Sequence, residues 1–168
     1  MAVNLTVTTD DGVKFHCSEG ALRYLGGRVQ SGAVDREMLH PEPMRWGAND
    51  DQAVELCRRW MVYLGASDAV VASGDARRAC DLYSSYFLGW VCNQRGNVDV
   101  DVVEQAASVA FSDGRQPLIF VPGGIRPVAQ ERADVLRVAV LRFHPVNATL
   151  DGVNSLGWRV RDDGLAGG

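Results

Sequence analysis

Two continuous apolar segments, separated by one helical segment, constrain the fold more than any other feature of this sequence. The apolar segments are "QPLIFVPGG", residues 116–124, and "VAVLRFHP", residues 138–145. Between them, "RPVAQERADVLR", residues 126–137, has a proline in its first turn, which is typical of the start of a helix. Uninterrupted apolar strands are usually covered on both faces, and strands joined by a helix usually run parallel. The sequence therefore predicts an α/β fold.

The residues before these segments extend the same alternating order. Residues 49–65 have helical apolar spacing, with Asn49 or Asp50 as the cap and Gly65 as the stop. Residues 99–114 predict a second helix, ended by a glycine. Between the two helices lie three predicted strands, at residues 68–74, 78–86 and 87–94. We therefore expect an α/β sandwich with a mixed central sheet flanked by helices. Strands joined by turns should pair antiparallel, and the last two, joined by a helix, should pair parallel.

The first 45 residues differ in pattern and predict a separate extension. Residues 4–9 and 13–18 alternate apolar and polar side chains around the turn sequence "DDG", which predicts a β-hairpin. "EGALRYL", residues 19–25, predicts a short helix, and Pro41 and Pro43 predict a linker. The expected division is an extension at 1–45, a main domain at 46–158 and a flexible tail at 159–168.

Charge and cysteine content narrow the functional classes. The net charge of −4 provides no overall basic field for nucleic acid, and 16 of the 17 basic residues are arginine, leaving Lys14 as the single lysine. The four cysteines lack CxxC spacing, which favours reduced core thiols over a zinc site or a disulfide framework. We find no apolar run of about 18 residues and no signal-peptide pattern, so we expect a cytoplasmic protein without a membrane segment.

The segment from Asn49 to Leu156 resembles the PD-(D/E)xK restriction-endonuclease-like fold, and within it the Mrr-type (type IV restriction endonuclease) branch. Glu55 lies in the first helix, where that family often has an acid. "VVASGDARRACDLYS", residues 70–84, is similar to the family's strand, turn and "GVDL" strand, and Gln105 matches a glutamine of its next helix. The resemblance implies a restriction-endonuclease-like sandwich that carries the N-terminal extension.

In that family, an aspartate and a Gln/Glu-x-Lys triplet carry Mg²⁺-dependent DNA cleavage. The resemblance places the aspartate at Asp81 and the triplet at Trp90, Val91 and Cys92. Tryptophan offers no ligand atom, and a neutral thiol is too soft for Mg²⁺ and carries no charge. The resemblance therefore implies a degenerate site in which Asp81 is the metal ligand, if any remains. We expect Trp90 to fill the space of the lost metal site.

A rebuilt site is the alternative, with Asp81 and Glu55 as the acids and Arg95 in place of the lysine. The arginines that could contact DNA phosphates are Arg58, Arg77, Arg78, Arg95 and Arg126.

Three functions are open at this point. The first is a degenerate Mrr-type domain that binds DNA or a protein partner and needs no cofactor. The second is an active endonuclease with a displaced site and Mg²⁺. The third is an adaptor or assembly protein that uses the nuclease fold as a scaffold. A homodimer is compatible with each of them.

Overall fold

The computed structural model describes residues 5–8, 14–17, 39–94 and 96–165. The chain divides into two compact units, Met1–His40 and Pro41–Gly168. In the first unit, β1 (Leu5–Thr8) and β2 (Lys14–Cys17) pair antiparallel, which confirms the predicted hairpin. The short helix predicted at 19–25 lies outside the described residues. The unit boundary falls five residues before the predicted one, because the backbone N–H of Met44 donates to the carbonyl of Pro145 at 2.8 Å.

The second unit is built on one six-stranded mixed sheet. Its elements are α1 (Asp50–Tyr63), β3 (Val70–Val71), a 3-10 helix (Gly74–Arg78), β4 (Leu82–Tyr83), β5 (Phe87–Val91), α2 (Val100–Asp113), β6 (Gln116–Val121), α3 (Pro127–Leu136), β7 (Ala139–His144), β8 (Thr149–Gly152) and α4 (Ser155–Asp163). The strands lie in chain order across the sheet. β5, β6 and β7 pair parallel, and the remaining neighbours pair antiparallel. The predicted mixed sheet is confirmed.

The helix ends follow the capping residues of the sequence. Asn49 and Gln52 form a capping box at the start of α1, in which each side chain bonds the backbone of the other. The Asp99 side chain caps α2, and Gly114 ends that helix at a φ of 84°, in the left-handed region that glycine adopts easily. Pro127 occupies the first turn of α3, where its missing N–H costs nothing.

Apolar side chains alternate along the central strands and form a core on each face of the sheet. Leu118, Phe120 and the inner face of α1 lie in one core, which also contains Val160 of α4. Ile119 and its neighbours lie in the other core, against α2 and α3. The arrangement is a three-layer α/β/α sandwich.

The strands on the β3 side of the sheet are shorter than predicted. β3 and β4 have two residues each, because the chain between them turns through Gly74, at a φ of 57°, into the 3-10 helix. Asp81 precedes β4 but remains bonded to both neighbouring segments. Its N–H donates to Gly89, and its carbonyl accepts from Ala72, both at 2.9 Å. Backbone hydrogen bonds to both neighbouring segments therefore fix the position of Asp81 in the sheet.

The prediction of a flexible tail at 159–168 is wrong for residues 159–163, which belong to α4. This helix lies very close to the sheet. A Cβ on Gly152 would lie 2.3 Å from the Trp158 nitrogen, and one on Gly157 would lie 2.0 Å from the Val140 carbonyl oxygen. Beyond the helix, Leu165 is buried and its N–H donates to the Leu64 carbonyl. Residues 166–168 lie outside the described residues.

Candidate functional site

A cavity of about 530 Å³ lies where β5 ends, and we call it the Asp81 cavity. The polar side chains that line it are one cation, three acids and three amides: Arg77, Asp50, Asp81, Asp99, Asn93, Gln94 and Asn97. Its apolar wall is formed by Val54, Val91, Val98 and Val102. A volume of this size is typical of small-ligand sites.

The chain topology explains why these side chains meet. The loop that leaves β5 carries Asn93, α1 brings its first residue, Asp50, and the cap of α2 brings Asp99. The loop after β6 supports this corner, because the Val98 N–H donates to the Gly124 carbonyl at 3.1 Å. Ligands of α/β proteins commonly bind at the carboxyl ends of parallel strands. The Asp81 cavity has this location, at the end of β5.

Asp81 forms two contacts that join neighbouring elements. Its Oδ2 accepts a hydrogen bond from the Val91 N–H at 2.7 Å, and its Oδ1 lies 3.5 Å from Nε of Arg77. The carboxylate therefore ties the start of β4 to the end of β5 and to the 3-10 helix. Asp81 and Cys92 flank an antiparallel strand pair, since Asp81 precedes β4 and Cys92 follows β5.

Asp50 is a cavity acid that the sequence reasoning treated only as a cap. Its Oδ1 accepts a hydrogen bond from Nδ2 of Asn93 at 3.0 Å, which links α1 to the loop after β5. Val54, one helical turn later, lines the same cavity. The signal was available in the helical spacing, because an acid four residues before an inward-facing valine lies on the same helix face.

Glu55 lies away from Asp81, at a second cavity of about 390 Å³ that Met44 and Arg59 also line. Its carboxylate accepts from Nε of Arg58 at 2.8 Å and from Nη2 at 2.6 Å. These bonds lower the pKa of Glu55 and hold the carboxylate ionised in a surface ion pair. Glu55 and Asp81 do not share a cavity, so the predicted pair of acids is not assembled.

Trp90 does not line the Asp81 cavity, contrary to the expectation that its ring fills that space. The side chain is partly buried in the core against α2, and its indole N–H donates to the Ala79 carbonyl at 2.9 Å. Neighbouring side chains of a strand point to opposite faces, so Val91 packs in the core that contains α1. The Trp90 ring therefore leaves the Asp81 cavity open.

Cys92 lines the Asp81 cavity as a neutral thiol. Burial, and then the negative charge of Asp81, raise its pKa to about 11. Both causes disfavour the thiolate, so the side chain carries no charge at neutral pH and cannot act as the cation that a lysine would be.

Alkylation of Cys92 by iodoacetamide should therefore be slow at neutral pH. Its rate should keep rising about tenfold per pH unit past pH 9, where an ordinary thiol levels off. Asp81→Asn should shift the profile to lower pH, because it removes the nearby negative charge. Tandem mass spectrometry can quantify the product at Cys92 separately from Cys80. If the alkylation rate of Cys92 in the unchanged protein reached a plateau near the pKa of an ordinary thiol, this would contradict a buried thiol beside Asp81.

The five arginines predicted to contact DNA do not share one environment. Arg77 lines the Asp81 cavity, and Arg126 approaches Asp99 at 3.9 Å near the same corner. Arg58 is paired with Glu55, and Arg78 is an exposed residue at the end of the 3-10 helix. Arg95 lies outside the described residues.

The donor set does not fit a metal centre. Among the described residues, no three His, Cys, Asp or Glu side chains are grouped so that they could hold a metal ion. Asp81, the expected ligand, bonds Val91 and lies beside Arg77. Magnesium is usually bound in proteins through one or two carboxylates and several waters, and the positive charge of Arg77 beside Asp81 opposes a second cation at this carboxylate.

In the parts of the chain that the structure describes, no helix is both long and apolar enough to cross a membrane. No protein-family model matches the chain, and no curated protein and no solved structure shows significant similarity to it.

Proposed function

We propose that the second unit is a catalytically degenerate, Mrr-type endonuclease-like domain that acts by binding DNA or a protein partner rather than by cleaving DNA. The observation that carries the proposal is that the Asp81 carboxylate is already bonded within the protein. Asp81 bonds Val91 and lies beside Arg77, and the resemblance puts Trp90 and Cys92 at the positions of the family's Gln/Glu and Lys.

The arrangement of elements supports the endonuclease-like part of the proposal. The order of one helix, three antiparallel strands, a second helix and a parallel strand is the order on which the resemblance rests. Asp81 lies just before the second of these strands and accepts a hydrogen bond from Val91 at the end of the third, where the resemblance puts the family's triplet. The order of elements supports only the position of Asp81 in the fold. The chemistry of the cavity depends on the side chains around Asp81.

Those side chains support binding over cleavage. A neutral Cys92 thiol cannot orient an attacking water or offset phosphate charge as a lysine does. Loss of one positioned proton-transfer group reduces a rate by roughly 10²–10⁴. A donor set that does not fit Mg²⁺ reduces it further.

One observation favours the alternative of an active, arginine-substituted nuclease. Arg77 lies 3.5 Å from Asp81 at the wall of an open cavity, so a cation is present beside the aspartate. This is a different residue from Arg95, the substitute expected from the sequence. The guanidinium is always protonated and orients phosphate well, but it is a poor replacement for a catalytic lysine.

Incubation with supercoiled plasmid DNA tests the proposal. With Mg²⁺ or Mn²⁺, and with methylated or unmethylated plasmid, the protein should cut no more DNA than its Asp81→Asn variant, because both lack a working site. Gel electrophoresis of nicked and linear forms measures the cleavage. The active alternative would replace the proposal if cleavage appeared and was lost in both Asp81→Asn and Arg77→Ala.

A further inference from the structure

The six-stranded sheet of the second unit has one edge strand on each side, β3 and β8. Edge strands carry backbone N–H and C=O groups that point away from the sheet and can pair with a strand of another chain. β3 has two residues and offers few such groups, whereas β8 has four. β8 is therefore the edge at which this sheet could best be extended.

Leu150 presents its backbone N–H and carbonyl on the outer side of β8. The Val153 N–H donates to the Val140 carbonyl at 2.9 Å, so this pair faces β7. Successive residues of an antiparallel strand direct their backbone groups to alternate sides. Thr149 and Asp151 therefore bond β7, and the Leu150 groups between them point outward.

The side chain of Arg161 covers this part of the edge from α4. Its Nε donates to the Leu150 carbonyl at 3.2 Å, and its Nη1 donates to Oδ1 of Asp162 at 3.0 Å. The guanidinium carbon also lies 5.8 Å from the centre of the Trp158 ring, which is within the range of a cation–π contact. Three neighbouring groups therefore hold a positive charge at the outer side of β8.

A cation in this position opposes the pairing of β8 with β8 of a second copy. A two-fold antiparallel pair centred on Leu150 requires the Leu150 carbonyl to accept the N–H of Leu150 in the second copy. Arg161 already donates to that carbonyl. The same pairing would bring the two Arg161 guanidinium groups close together, and like charges repel. Charged side chains at sheet edges are a common means of preventing such pairing.

We propose that Arg161 guards the β8 edge and prevents a second copy of the chain from extending the sheet through its own β8. The guard goes beyond the proposed function, because it acts in the same way whether the unit binds DNA or a protein partner. Loss of the Arg161 side chain should therefore create a dimer whose contact lies at Leu150.

Size-exclusion chromatography with multi-angle light scattering on the full chain tests the guard. Arg161→Ala should strengthen self-association by about tenfold or more, because it frees the Leu150 carbonyl and removes the repulsion between the two guanidinium groups. Arg159→Ala is the matched control, because Arg159 is an exposed arginine of the same helix. It should leave self-association unchanged.

Two further readouts locate the new contact on β8. In the two-fold pair, Thr149 lies opposite Asp151 of the second copy. Adding Thr149→Asp to Arg161→Ala should therefore reverse the association, since like charges placed opposite each other destabilise paired strands. In ¹⁵N-labelled Arg161→Ala protein, the Leu150 amide should exchange with deuterated water about tenfold more slowly than in the unchanged protein.

The guard is overturned if Arg161→Ala associates no more strongly than the unchanged protein or if Arg159→Ala has the same effect. It is also overturned if the added Thr149→Asp leaves the association in place, because the contact would then lie elsewhere. If circular dichroism shows that Arg161→Ala does not fold, Arg161→Gln replaces it under the same criteria, because glutamine removes the charge and keeps an N–H donor.

Discussion

Replacing Gly157 with alanine should destabilise the second unit by about 3 kcal/mol or more, the upper range for an overpacked site. The added Cβ would lie 2.0 Å from the Val140 carbonyl oxygen and 2.9 Å from Oδ1 of Asn154. α4 would therefore have to move away from β7. In an exposed helix the same substitution would stabilise by up to about 1 kcal/mol, so the sign of the effect is diagnostic.

Chemical denaturation followed by circular dichroism measures this change in unfolding free energy. Ser155→Ala is the matched control, because Ser155 is an exposed residue in the same helix. It should alter stability by less than about 0.5 kcal/mol. A Gly157→Ala protein as stable as the unchanged protein would contradict the close approach of α4 to the sheet.

Removing the side chain of Asn154 should cost about 3 to 5 kcal/mol of stability. This side chain is almost completely buried. Its Oδ1 accepts from the N–H groups of Val140, at 3.0 Å, and Gly157, at 2.9 Å, and its Nδ2 donates to the Val138 carbonyl at 2.7 Å. Asn154→Ala leaves these backbone groups without their partner, and each unsatisfied buried group costs about 1–3 kcal/mol.

Two further variants sharpen the Asn154 prediction. Asn154→Asp keeps the acceptors but directs a carboxylate oxygen at the Val138 carbonyl, so it should also destabilise, and less at acidic pH, where the carboxyl is protonated. Asn147→Ala is the control, because Asn147 is exposed. Equal unfolding free energies for Asn154→Ala and Asn147→Ala would show that the buried amide does not join β7 to α4.

The elements that sequence reasoning found are those with strong apolar patterns or recognisable caps. α1 begins at the capping box of Asn49, and β6 and β7 coincide with the two apolar segments. Sequence reasoning missed β8 and α4, because glycines and a buried asparagine side chain form the contacts between them and the rest of the sheet. Gly152, Asn154 and Gly157 contribute little to hydrophobic periodicity, although they allow α4 to lie close to the sheet.

The sequence predicted that Asp81 and Cys92 lie close together, but not which other residues surround them. Asp81 and Cys92 lie at one corner, as the spacing of the two strands indicated. Glu55 was chosen from the resemblance, whereas the helical spacing from Val54 leads to Asp50. Arg77 was named only as a DNA contact, because a 3-10 helix folding back onto Asp81 leaves no periodic signal in the sequence. Contacts of this kind depend on tertiary structure.

The central claim is that Asp81 is a structural acceptor rather than a magnesium ligand. The most direct measurement is a Mg²⁺ titration of the ¹⁵N-labelled protein, observed at the Val91 amide, which donates to Asp81 Oδ2 at 2.7 Å. We expect no saturable shift at this amide, and the same spectra with and without Mg²⁺ in Asp81→Asn. A saturable shift at Val91 that disappears in Asp81→Asn would contradict the claim, because it would show that the carboxylate exchanges its hydrogen bond for the metal.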